Sequence, residues 1–344
     1  MLPTDTKHAT LLDVAKAAGV SHQTVSRVVN NHPHVAVKTR DRVLSSIRKL
    51  GYQPNRMARG LATSSTQTIG LVSFGVSYFG PAQMLVSIEK VIRDSGYDLT
   101  FATLEAPDLK ALRRAVDKLS GSGVDGVVVI APVIGLDARQ LADLHTDLPI
   151  VMTDVQVGAK IHSVILDQRE GSRLATQHLI DLGHTRIAEI SGPLNWNDAA
   201  LRHEGWLETL QRANLTPGAT AAGDWSARAG YEAALELLQG ASGFTGLVVG
   251  NDQMALGALR ALGDSGLKVP DDVSVVGFDD SPEAPFFGPP LTTVQQDFAV
   301  MGRQSIEHLL ALIAQPGTPV SQRILYPRLM VRSSTAAPPV SSKS

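Results

Sequence analysis

Two patterns of apolar and polar positions follow one another along the chain. In the first fifty residues, apolar side chains recur every three or four positions in three short segments. The first segment is Leu11–Ala18, the second begins after Ser21, and the turn between them, "AGVS", contains a glycine. The third, "VKTRDRVLSSIRKLGY", places three apolar residues on one face: Val43, Ile47 and Leu50. This order of helices predicts a helix-turn-helix fold.

From about Thr68 the pattern changes to short β-rich runs that alternate with segments of helical period. The runs include "TIGLVSF", "DGVVVIAP", "PIVMTDV", "RIAEISGP", "GLVVGND" and "DVSVVGFDD". The helical segments include "AALRHEGWLETLQRA" and "QMALGALRALGDSG". This alternation is typical of parallel strands joined by right-handed crossover helices, and the series is long enough for two sheets. The predicted fold class is therefore α/β, preceded by a helical N-terminal domain.

The stretch "YQPNRMARGLATSSTQ" separates the two patterns. Pro54 suits the start of a helix, Asn55–Ala62 is long enough for two turns, and the Ser/Thr run that follows is typical of a linker. Two turns are too few for a stable isolated helix, so the residues alone leave a flexible tether and a short helix both open. We divide the chain into a helix-turn-helix domain (1–54), a hinge and linker (55–66), a core (67–332) and a disordered tail (333–344).

Composition narrows the class of protein. The 344 residues include 43% apolar and 19% charged side chains, enough for two or three folded domains. The chain has no cysteine, which excludes a disulfide framework and thiol catalysis and suits a reducing compartment. It also has no apolar run approaching about 18 residues and no basic leader before an apolar stretch. We therefore expect a soluble, cytoplasmic protein that does not enter a membrane.

The net charge of −2 is unevenly distributed along the chain. Residues 1–63 contain ten Lys or Arg side chains against three Asp, which gives +7 and leaves −9 for the remainder. A basic head on an acidic body indicates that only the head contacts a polyanion. The polar face of the predicted second helix carries amide, guanidinium, imidazole and hydroxyl groups and no acid. That face suits an anionic partner, although a small helical bundle with a merely hydrated face would use similar residues.

The stretch "TLLDVAKAAGVSHQTVSRVVNN" resembles the start of the LacI/GalR family of bacterial repressors. The resemblance implies that the second helix contacts the major groove of operator DNA, where Arg pairs with guanine and Gln with adenine. The residues implied to face base edges are His22, Gln23 and Arg27. Those implied to hold phosphates and so fix the register are Thr10, Ser21, Thr24, Ser26, Asn30, His34 and Thr39. The family also has a hinge helix that folds on operator DNA and pushes an apolar side chain into the minor groove, here with contacts at Asn55, Ala58 and Leu61.

The carboxyl ends of the predicted strands carry most of the candidate binding chemistry. Asp154 follows one strand, Trp225 lies in "GDWSA", and two further runs end in polar pairs, Asn251 with Asp252 and Asp279 with Asp280. Ligands of parallel sheets bind at these ends. Carboxylates and an amide around a large aromatic ring suit a polyhydroxylated ligand, and Arg202 on the helix after "GPLNW" adds a donor. Asp is also a common helix N-cap at such places, so each acid has a purely structural alternative.

The resemblance extends to about residue 332, through "GDWSA", "NDQMALGA", "SVVGFDD", "PPLTT" and "QDF". It implies a core like that of the periplasmic sugar-binding proteins, with two subdomains joined by three crossings and an effector between them. The implied N-subdomain spans about 67–165 and 294–325, and the C-subdomain about 166–293 and 326–332. The implied effector contacts are Tyr78, Asp154, Arg202, Trp225, Asn251, Asp279, Gln296 and Phe298. Galactoside binding is favoured, although Tyr78, Ile130 and Leu166 depart from the galactoside-binding pattern.

The expected function is that of a homodimeric transcriptional repressor, bound to operator DNA on the bacterial nucleoid, whose affinity is controlled by a galactoside-like inducer. A dimer is expected because "SSTAAPPVSSKS" at the C-terminus lacks the heptad repeat of a tetramerisation helix. The alternatives are a related regulator that responds to a purine or another sugar, and an enzyme that acts on sugars through Asp154, Asp252 or Asp279. The basic head is evidence against the enzyme.

We expect no catalytic residue, no metal and no cofactor. The stretch "GSGVDG" (121–126) matches a dinucleotide-binding pattern, but it precedes an apolar run and does not open a helix after a strand. The histidines have no metal-ligand spacing.

Overall fold

The computed structural model describes residues 9–29, 32–52, 65–132, 139–140, 144, 147–240 and 243–339. The chain divides into two compact units, residues 1–66 and residues 67–344. Each unit has its own buried apolar core. No helix in the part of the chain that the structure describes is both long and apolar enough to cross a membrane.

The described residues of the first unit form three helices: α1 (Leu11–Ala18), α2 (His22–Val29) and α3 (Val37–Leu50). A capping box begins α1, because the Thr10 hydroxyl accepts the Asp13 N–H while the Asp13 carboxylate accepts the Thr10 N–H. Gly19, with φ of 60°, ends α1 in the left-handed conformation that glycine adopts without strain. The helix-turn-helix prediction is confirmed.

The core of this unit is small and consists mainly of valine and alanine. Its buried members are Val14, Ala15, Ala18, Val25, Val28, Val43 and Tyr52. Of the three residues predicted to cover it from α3, Val43 is buried, Ile47 packs at its edge and Leu50 is 37% exposed. Leu50 is the last residue of α3, just before Gly51 ends the helix, so it extends beyond the core that Val43 covers.

The second unit alternates strands and helices along its length. In chain order the elements are β1 (Thr68–Ser73), α4 (Phe79–Asp94), β2 (Asp98–Thr103), α5 (Leu109–Gly121), β3 (Gly126–Ile130), β4 (Ile150–Met152), β5 (Ser163–Leu166), α6 (Gln168–Asp181), β6 (Ile187–Ser191), α7 (Asn197–Arg212), β7 (Thr220–Ala222), α8 (Ala227–Gln239), β8 (Gly246–Val249), α9 (Asp252–Asp264), β9 (Ser274–Asp279), β10 (Thr292–Gln295), α10 (Phe298–Ala314), β11 (Gln322–Leu325) and β12 (Arg328–Met330).

The strands form two six-stranded sheets, as the alternating pattern predicts. The N-sheet has the order β11-β5-β4-β3-β1-β2, and all its pairs are parallel. Successive residues point to opposite faces. Leu71 and Val128 pack with α4 and α10, whereas Val72 and Val129 pack with α5 on the other face. Burial on both faces explains why these strands are apolar throughout.

The C-sheet has the order β12-β10-β9-β8-β6-β7, in which only the edge pair β10 and β12 is antiparallel. Val248 and Phe278 pack with α6 and α7 on one face, and Leu247 and Val275 pack with α8 and α9 on the other. The chain passes between the two sheets at three places, after β5, after β10 and after β11. The predicted core of two parallel-sheet subdomains is therefore confirmed.

The prediction of a disordered tail from residue 333 is wrong for residues 333–339. Ser334 is fully buried and its C=O accepts the Val275 N–H at 2.8 Å, while its hydroxyl donates to the Val275 C=O at 2.6 Å. β10 pairs with β9 only from Val276 onward, so this segment satisfies the first backbone groups of β9 that β10 does not reach. The Ala336 N–H adds a bond to the Ser274 hydroxyl at 3.0 Å. The core therefore extends past residue 332.

Candidate functional site

The exposed face of α2 carries the groups predicted to contact DNA bases. His22, Gln23 and Arg27 are exposed, while Val25 and Val28 of the same helix are buried in the core. The Ser21 hydroxyl accepts the Thr24 N–H at 3.2 Å and so occupies the N-cap position. The helix has no acidic residue in its sequence "HQTVSRVV", which leaves its positive N-terminus open to phosphate. The geometry fits a recognition helix.

The residues predicted to hold phosphates lie at several places in the first unit. Thr10 and Ser21 precede α1 and α2 and serve as their caps. His34 lies between α2 and α3 with its ring 5.5 Å from that of His32, and Thr39 lies in the first turn of α3. Thr24 and Ser26 lie on α2 itself. Four predicted contacts lie outside the described residues: Asn30, Asn55, Ala58 and Leu61.

A cavity of about 720 Å³, including its open mouth, lies at the carboxyl ends of the strands of both sheets. All eight predicted effector contacts line it: Tyr78, Asp154, Arg202, Trp225, Asn251, Asp279, Gln296 and Phe298. The mixture of aromatic walls and a few convergent polar groups is typical of small-molecule sites. The expectation that a ligand binds at the carboxyl ends of the strands, which we call the strand-end argument, therefore located a cavity.

Arg202, on α7, is the buried cation of the cavity. Its Nε donates to the Gln168 side-chain oxygen at 2.8 Å and its Nη1 donates to the backbone oxygen of Gly250. The guanidinium carbon lies 3.8 Å from the centroid of the Phe278 ring, a cation–π arrangement. These contacts hold the planar group rigidly at the bottom of the cavity, with Nη1 4.0 Å from an Asp279 oxygen.

Two glutamines continue this arrangement into a closed set of four side chains, which we call the polar ring. Gln168 Nε2 donates to Gln296 Oε1 at 3.2 Å, and Gln296 Nε2 donates to Asp279 Oδ1 at 2.6 Å. Asp279 lies near Arg202, which closes the ring. Burial raises the pKa of Asp279 to about 6, against the opposing effect of Arg202 and Gln296. Gln168 and Gln296 lie where the chain crosses between the sheets, after β5 and after β10. The ring therefore connects these two crossings at the cavity.

Aromatic rings from both sheets form one side of the cavity, which we call the aromatic wall. The ring of Trp196, which precedes α7, lies 5.9 Å from that of Trp225, 5.2 Å from that of Tyr78 and 5.3 Å from that of Phe74. Trp225 is 8% exposed and has a φ of 76°. A positive φ strains any residue other than glycine, and such strain is often found at functional sites. Gly192 makes room for it, since a Cβ there would overlap the indole.

A carboxyl pair lies beside the aromatic wall. Asp154 Oδ1 accepts from Asn197 Nδ2 at 2.8 Å, and the neighbouring Asp198 also lines the cavity. Burial, and then the charge of Asp198, raise the pKa of Asp154 well above its usual value, although the bond from Asn197 opposes this. The pair can accept hydrogen bonds from hydroxyl groups, and in its protonated state it can also donate one.

Of the polar residues at the strand ends after β8 and β9, Asn251 serves as a helix cap, whereas Asp252, Asp279 and Asp280 do not. Asn251 Oδ1 accepts the Met254 N–H at 2.9 Å and its Nδ2 donates to the Trp225 backbone oxygen at 3.1 Å. Asn251 therefore caps α9 and also positions Trp225 at the cavity. Its neighbour Asp252 points away and accepts from Thr293 Oγ1 at 2.6 Å. In the other strand-end pair, Asp279 with Asp280, the Asp280 carboxylate forms an ion pair with Arg332 at 2.5 Å.

The sequence argument missed several lining residues, among them Gln168, Trp196 and Asp198. Trp196 and Asp198 follow the strand run "RIAEISGP" within a few residues, so the strand-end argument applied to that run would have found them. Gln168 lies two residues after the end of β5, but nothing in its type marks it as a partner of an arginine. Of the three departures from the galactoside pattern, Tyr78 and Ile130 line the cavity and Leu166 is buried in the core.

Comparisons with known proteins agree with both halves of the structure. Residues 10–55 match the model described as bacterial regulatory proteins, lacI family, and residues 176–335 match that of a periplasmic binding protein-like domain. The lactose operon repressor of Escherichia coli (strain K12) is 38% identical over 332 residues, 96% of this chain and 92% of that protein. The HTH-type transcriptional repressor PurR of Haemophilus influenzae is 37% identical over 95% of this chain and 98% of its own.

A solved structure matches over nearly the whole chain. The lac repressor dimer bound to operator and the anti-inducer ONPF has a TM-score of 0.90 and 37% identity, and the match covers 96% of this chain and 100% of that one. These relatives are transcriptional repressors and not enzymes. This chain therefore belongs to the lacI family of bacterial regulatory proteins, as a DNA-binding transcriptional repressor.

Proposed function

We propose that this repressor binds operator DNA as a dimer and that a galactoside-like sugar in the cavity between the two sheets controls that binding. The observation that carries the proposal is the polar ring, because it places charged and amide groups of two crossings against the same cavity. A sugar hydroxyl that contacts Arg202 or Asp279 therefore acts on the segments that set the angle between the sheets.

The chemistry of the site favours a ligand rich in hydroxyl groups. Asp154, Asp198 and Asp279 offer acceptors, Arg202 offers a donor, and the Trp225 ring covers an apolar face. A pyranose has both a pattern of hydroxyls and an apolar C–H face. Sugar binding therefore uses all of these groups at once.

DNA recognition rests on the exposed polar groups of α2. Arg27 is suited to the two acceptors of guanine and Gln23 to the edge of adenine. Thr10, Ser21 and the other hydroxyl residues fix the register on phosphates. In the proposed mechanism the hinge (55–66) forms a helix only when paired on operator, with Leu61 in the minor groove, so its stability is the switch.

The sugar acts by favouring an arrangement of the core in which the two hinges do not pair. It can shift the balance only by its difference in affinity for the two states, which is typically about 1–3 kcal/mol. Linkage then requires that operator DNA weaken sugar binding by the same factor. The first experiment is calorimetry with methyl β-galactoside, with and without an operator selected from a random DNA library. We expect weaker sugar binding with operator, and equal affinities would contradict the inducer role.

Variants separate the two halves of the proposal. Arg27→Ala should weaken operator binding by about 1–3 kcal/mol and relax one base position, while the exposed Arg93→Ala serves as a matched control. Asp279→Asn should lower the affinity for the sugar and leave the affinity for operator nearly unchanged.

A purine is the second candidate effector, since the relatives include the HTH-type transcriptional repressor PurR and the aromatic wall offers ring faces on which a planar base stacks. Thermal shifts with guanine and hypoxanthine in place of the sugar distinguish it, because a ligand at 100 times its Kd adds about 2.7 kcal/mol to stability.

A further inference from the structure

The backbone is strained where β9 ends. Asp279 has a φ of 119° and Asp280 a φ of 53°, and both values lie in the region that residues other than glycine rarely adopt. Asp279 lines the cavity, whereas Asp280 is not among the lining residues. Backbone strain of this kind persists only where surrounding contacts hold it in place. The contacts of Asp280 therefore bear on the conformation of Asp279.

Asp280 is held by Arg332, which lies two residues after the end of β12. Arg332 Nη2 donates to Asp280 Oδ1 at 2.5 Å, and Arg332 Nη1 donates to the Leu291 backbone oxygen at 2.8 Å. The Arg332 N–H donates to the Thr292 hydroxyl at 2.9 Å, so the backbone of this arginine is anchored at the start of β10 as well. Only 17% of the Arg332 side chain and 11% of the Asp280 side chain are exposed, so salt screens this ion pair little.

Two glutamines at the end of β10 bind the same two carboxylates. Gln295 Nε2 donates to Asp280 Oδ2 at 2.9 Å, and Gln296 Nε2 donates to Asp279 Oδ1 at 2.6 Å. Arg332 and Gln295 therefore each occupy one oxygen of Asp280, which fixes the orientation of that carboxylate. Because a peptide bond is planar, a fixed Asp280 also restricts the backbone of Asp279.

Arg332 follows the third passage of the chain between the sheets. The chain leaves β11 of the N-sheet, enters β12 of the C-sheet at Arg328 and reaches Arg332 after β12 ends at Met330. The polar ring connects the other two crossings to the cavity. The ion pair between Arg332 and Asp280 connects the third crossing to the same cavity, through the peptide bond between Asp280 and Asp279.

We propose that Arg332 is a positioning residue for the effector: by holding Asp280, it keeps Asp279 in the strained conformation that presents its carboxylate to a sugar hydroxyl. The inference rests on the proposed sugar effector and adds a residue outside the cavity lining. Without the guanidinium, the largely buried Asp280 carboxylate loses its cation and turns toward water. The backbone then relaxes from its positive φ, and the carboxylate of Asp279 leaves its place in the cavity.

Calorimetry with methyl β-galactoside compares Arg332→Met with the wild type. We expect the variant to bind the sugar at least tenfold more weakly, because a displaced Asp279 no longer accepts from a hydroxyl. Arg332→Lys keeps the charge but lacks the planar fork that contacts Asp280 and Leu291 together. We expect it to bind at least threefold more weakly than the wild type and at least threefold more tightly than Arg332→Met. Wild-type affinity in both variants would overturn the positioning role and leave the sugar effector standing.

A double variant separates positioning from a general loss of stability. If Arg332 acts through Asp279, adding Arg332→Met or Arg332→Lys to Asp279→Asn should weaken sugar binding less than twofold further. The lysine variant serves this purpose even if the methionine variant does not fold. A loss in the Asp279→Asn background equal to that in the wild-type background would contradict the proposal.

Ser334→Ala is the matched control. The Ser334 side chain is buried two positions from Arg332, and its hydroxyl donates to the Val275 C=O and accepts the Thr292 N–H. It does not contact Asp280. This variant should therefore lower the free energy of unfolding in urea and leave sugar affinity within twofold of the wild type. A tenfold loss of sugar affinity in Ser334→Ala would show that stability alone accounts for the effect of Arg332.

Crystal structures of the unliganded wild type and Arg332→Met provide a readout that needs no sugar. We expect the φ of Asp279 to become negative in the variant and the hydrogen bond from Gln296 to be lost. An unchanged Asp279 would overturn the proposal. If methyl β-galactoside does not bind the wild type, the galactoside effector is wrong, and these two structures still decide whether Arg332 positions Asp279.

Discussion

At Gly192, hydrogen is the only side chain that leaves room for the ring of Trp225. Gly192→Ala should therefore displace that ring, lower the free energy of unfolding by about 1–3 kcal/mol and weaken sugar binding. Urea unfolding and calorimetry measure the two effects. Gly263→Ala is the control, because a Cβ there meets nothing within 4 Å and alanine is favoured in a helix. Equal stabilities of Gly192→Ala and the wild type would show that Trp225 does not depend on this glycine.

Single residues also show how far the sequence could predict the site. The strand-end argument brought Asp154, Trp225 and Asp279 to one cavity, because parallel strands share an edge at their carboxyl ends. It did not predict that Asn251 caps α9 or that Asp252 points away, since the direction of a side chain depends on the partners it finds. Gln168 was missed for the same reason. Its role exists only through its bonds to Arg202 and Gln296.

At the scale of elements, Asp252 joins the start of α9 to two strands. Its carboxylate accepts from Thr293 in β10 and from the Ser281 N–H just after β9. Burial, and then the charge of Asp279, raise the pKa of Asp252 to about 7. The native protein therefore keeps this proton up to about pH 7, whereas the unfolded chain loses it near pH 4. Between these values the native state binds more protons, so this group's contribution to stability is lost as the pH rises.

Asp252→Asn removes this titration and keeps the shape of the side chain. We expect the free energy of unfolding of the wild type, relative to the variant, to fall by roughly 2–4 kcal/mol between pH 4 and pH 8. Urea unfolding at several pH values measures the difference. Asp264→Asn, at the exposed end of the same helix, should keep the wild-type slope. Parallel curves for Asp252→Asn and the wild type would contradict the assignment.

Elements with a regular period were predicted well, and those without one were not. Alternating apolar runs and helical segments predicted both sheets because burial on two faces leaves a strong signal in composition. The segment 333–339 has no such signal. Its residues are mainly Ser, Thr, Ala and Pro, and its order comes from backbone and hydroxyl bonds to β9 and β10. Bonds of this kind place few demands on residue type, which is why the segment resembled a tail.

For the whole molecule, the division of charge separates two kinds of binding. The head carries +7 and the remainder −9, so the attraction to DNA arises in the head alone. We expect the logarithm of operator affinity to fall with the logarithm of salt concentration, with a slope of about −0.9 for each neutralised phosphate. Sugar affinity should stay nearly constant over the same range, because the ligand is uncharged. Fluorescence anisotropy with labelled operator and calorimetry with sugar give the two curves. Operator binding that is independent of salt would refute recognition through the basic head.

The polar ring constrains how this repressor could acquire a new inducer during evolution or in the design of a biosensor. Three hydrogen bonds and one charge contact of 4.0 Å join its four members, so exchanging one leaves a buried donor or acceptor unmatched, at a cost of about 1–3 kcal/mol. A substitution of Arg202 or Asp279 therefore needs a second, compensating substitution at its partner. Among the described residues, the Trp196 indole N–H and the Tyr78 hydroxyl have no hydrogen-bond partner, so these two side chains can change one at a time. A library meant to retune the repressor should randomise the aromatic wall first and leave the ring intact.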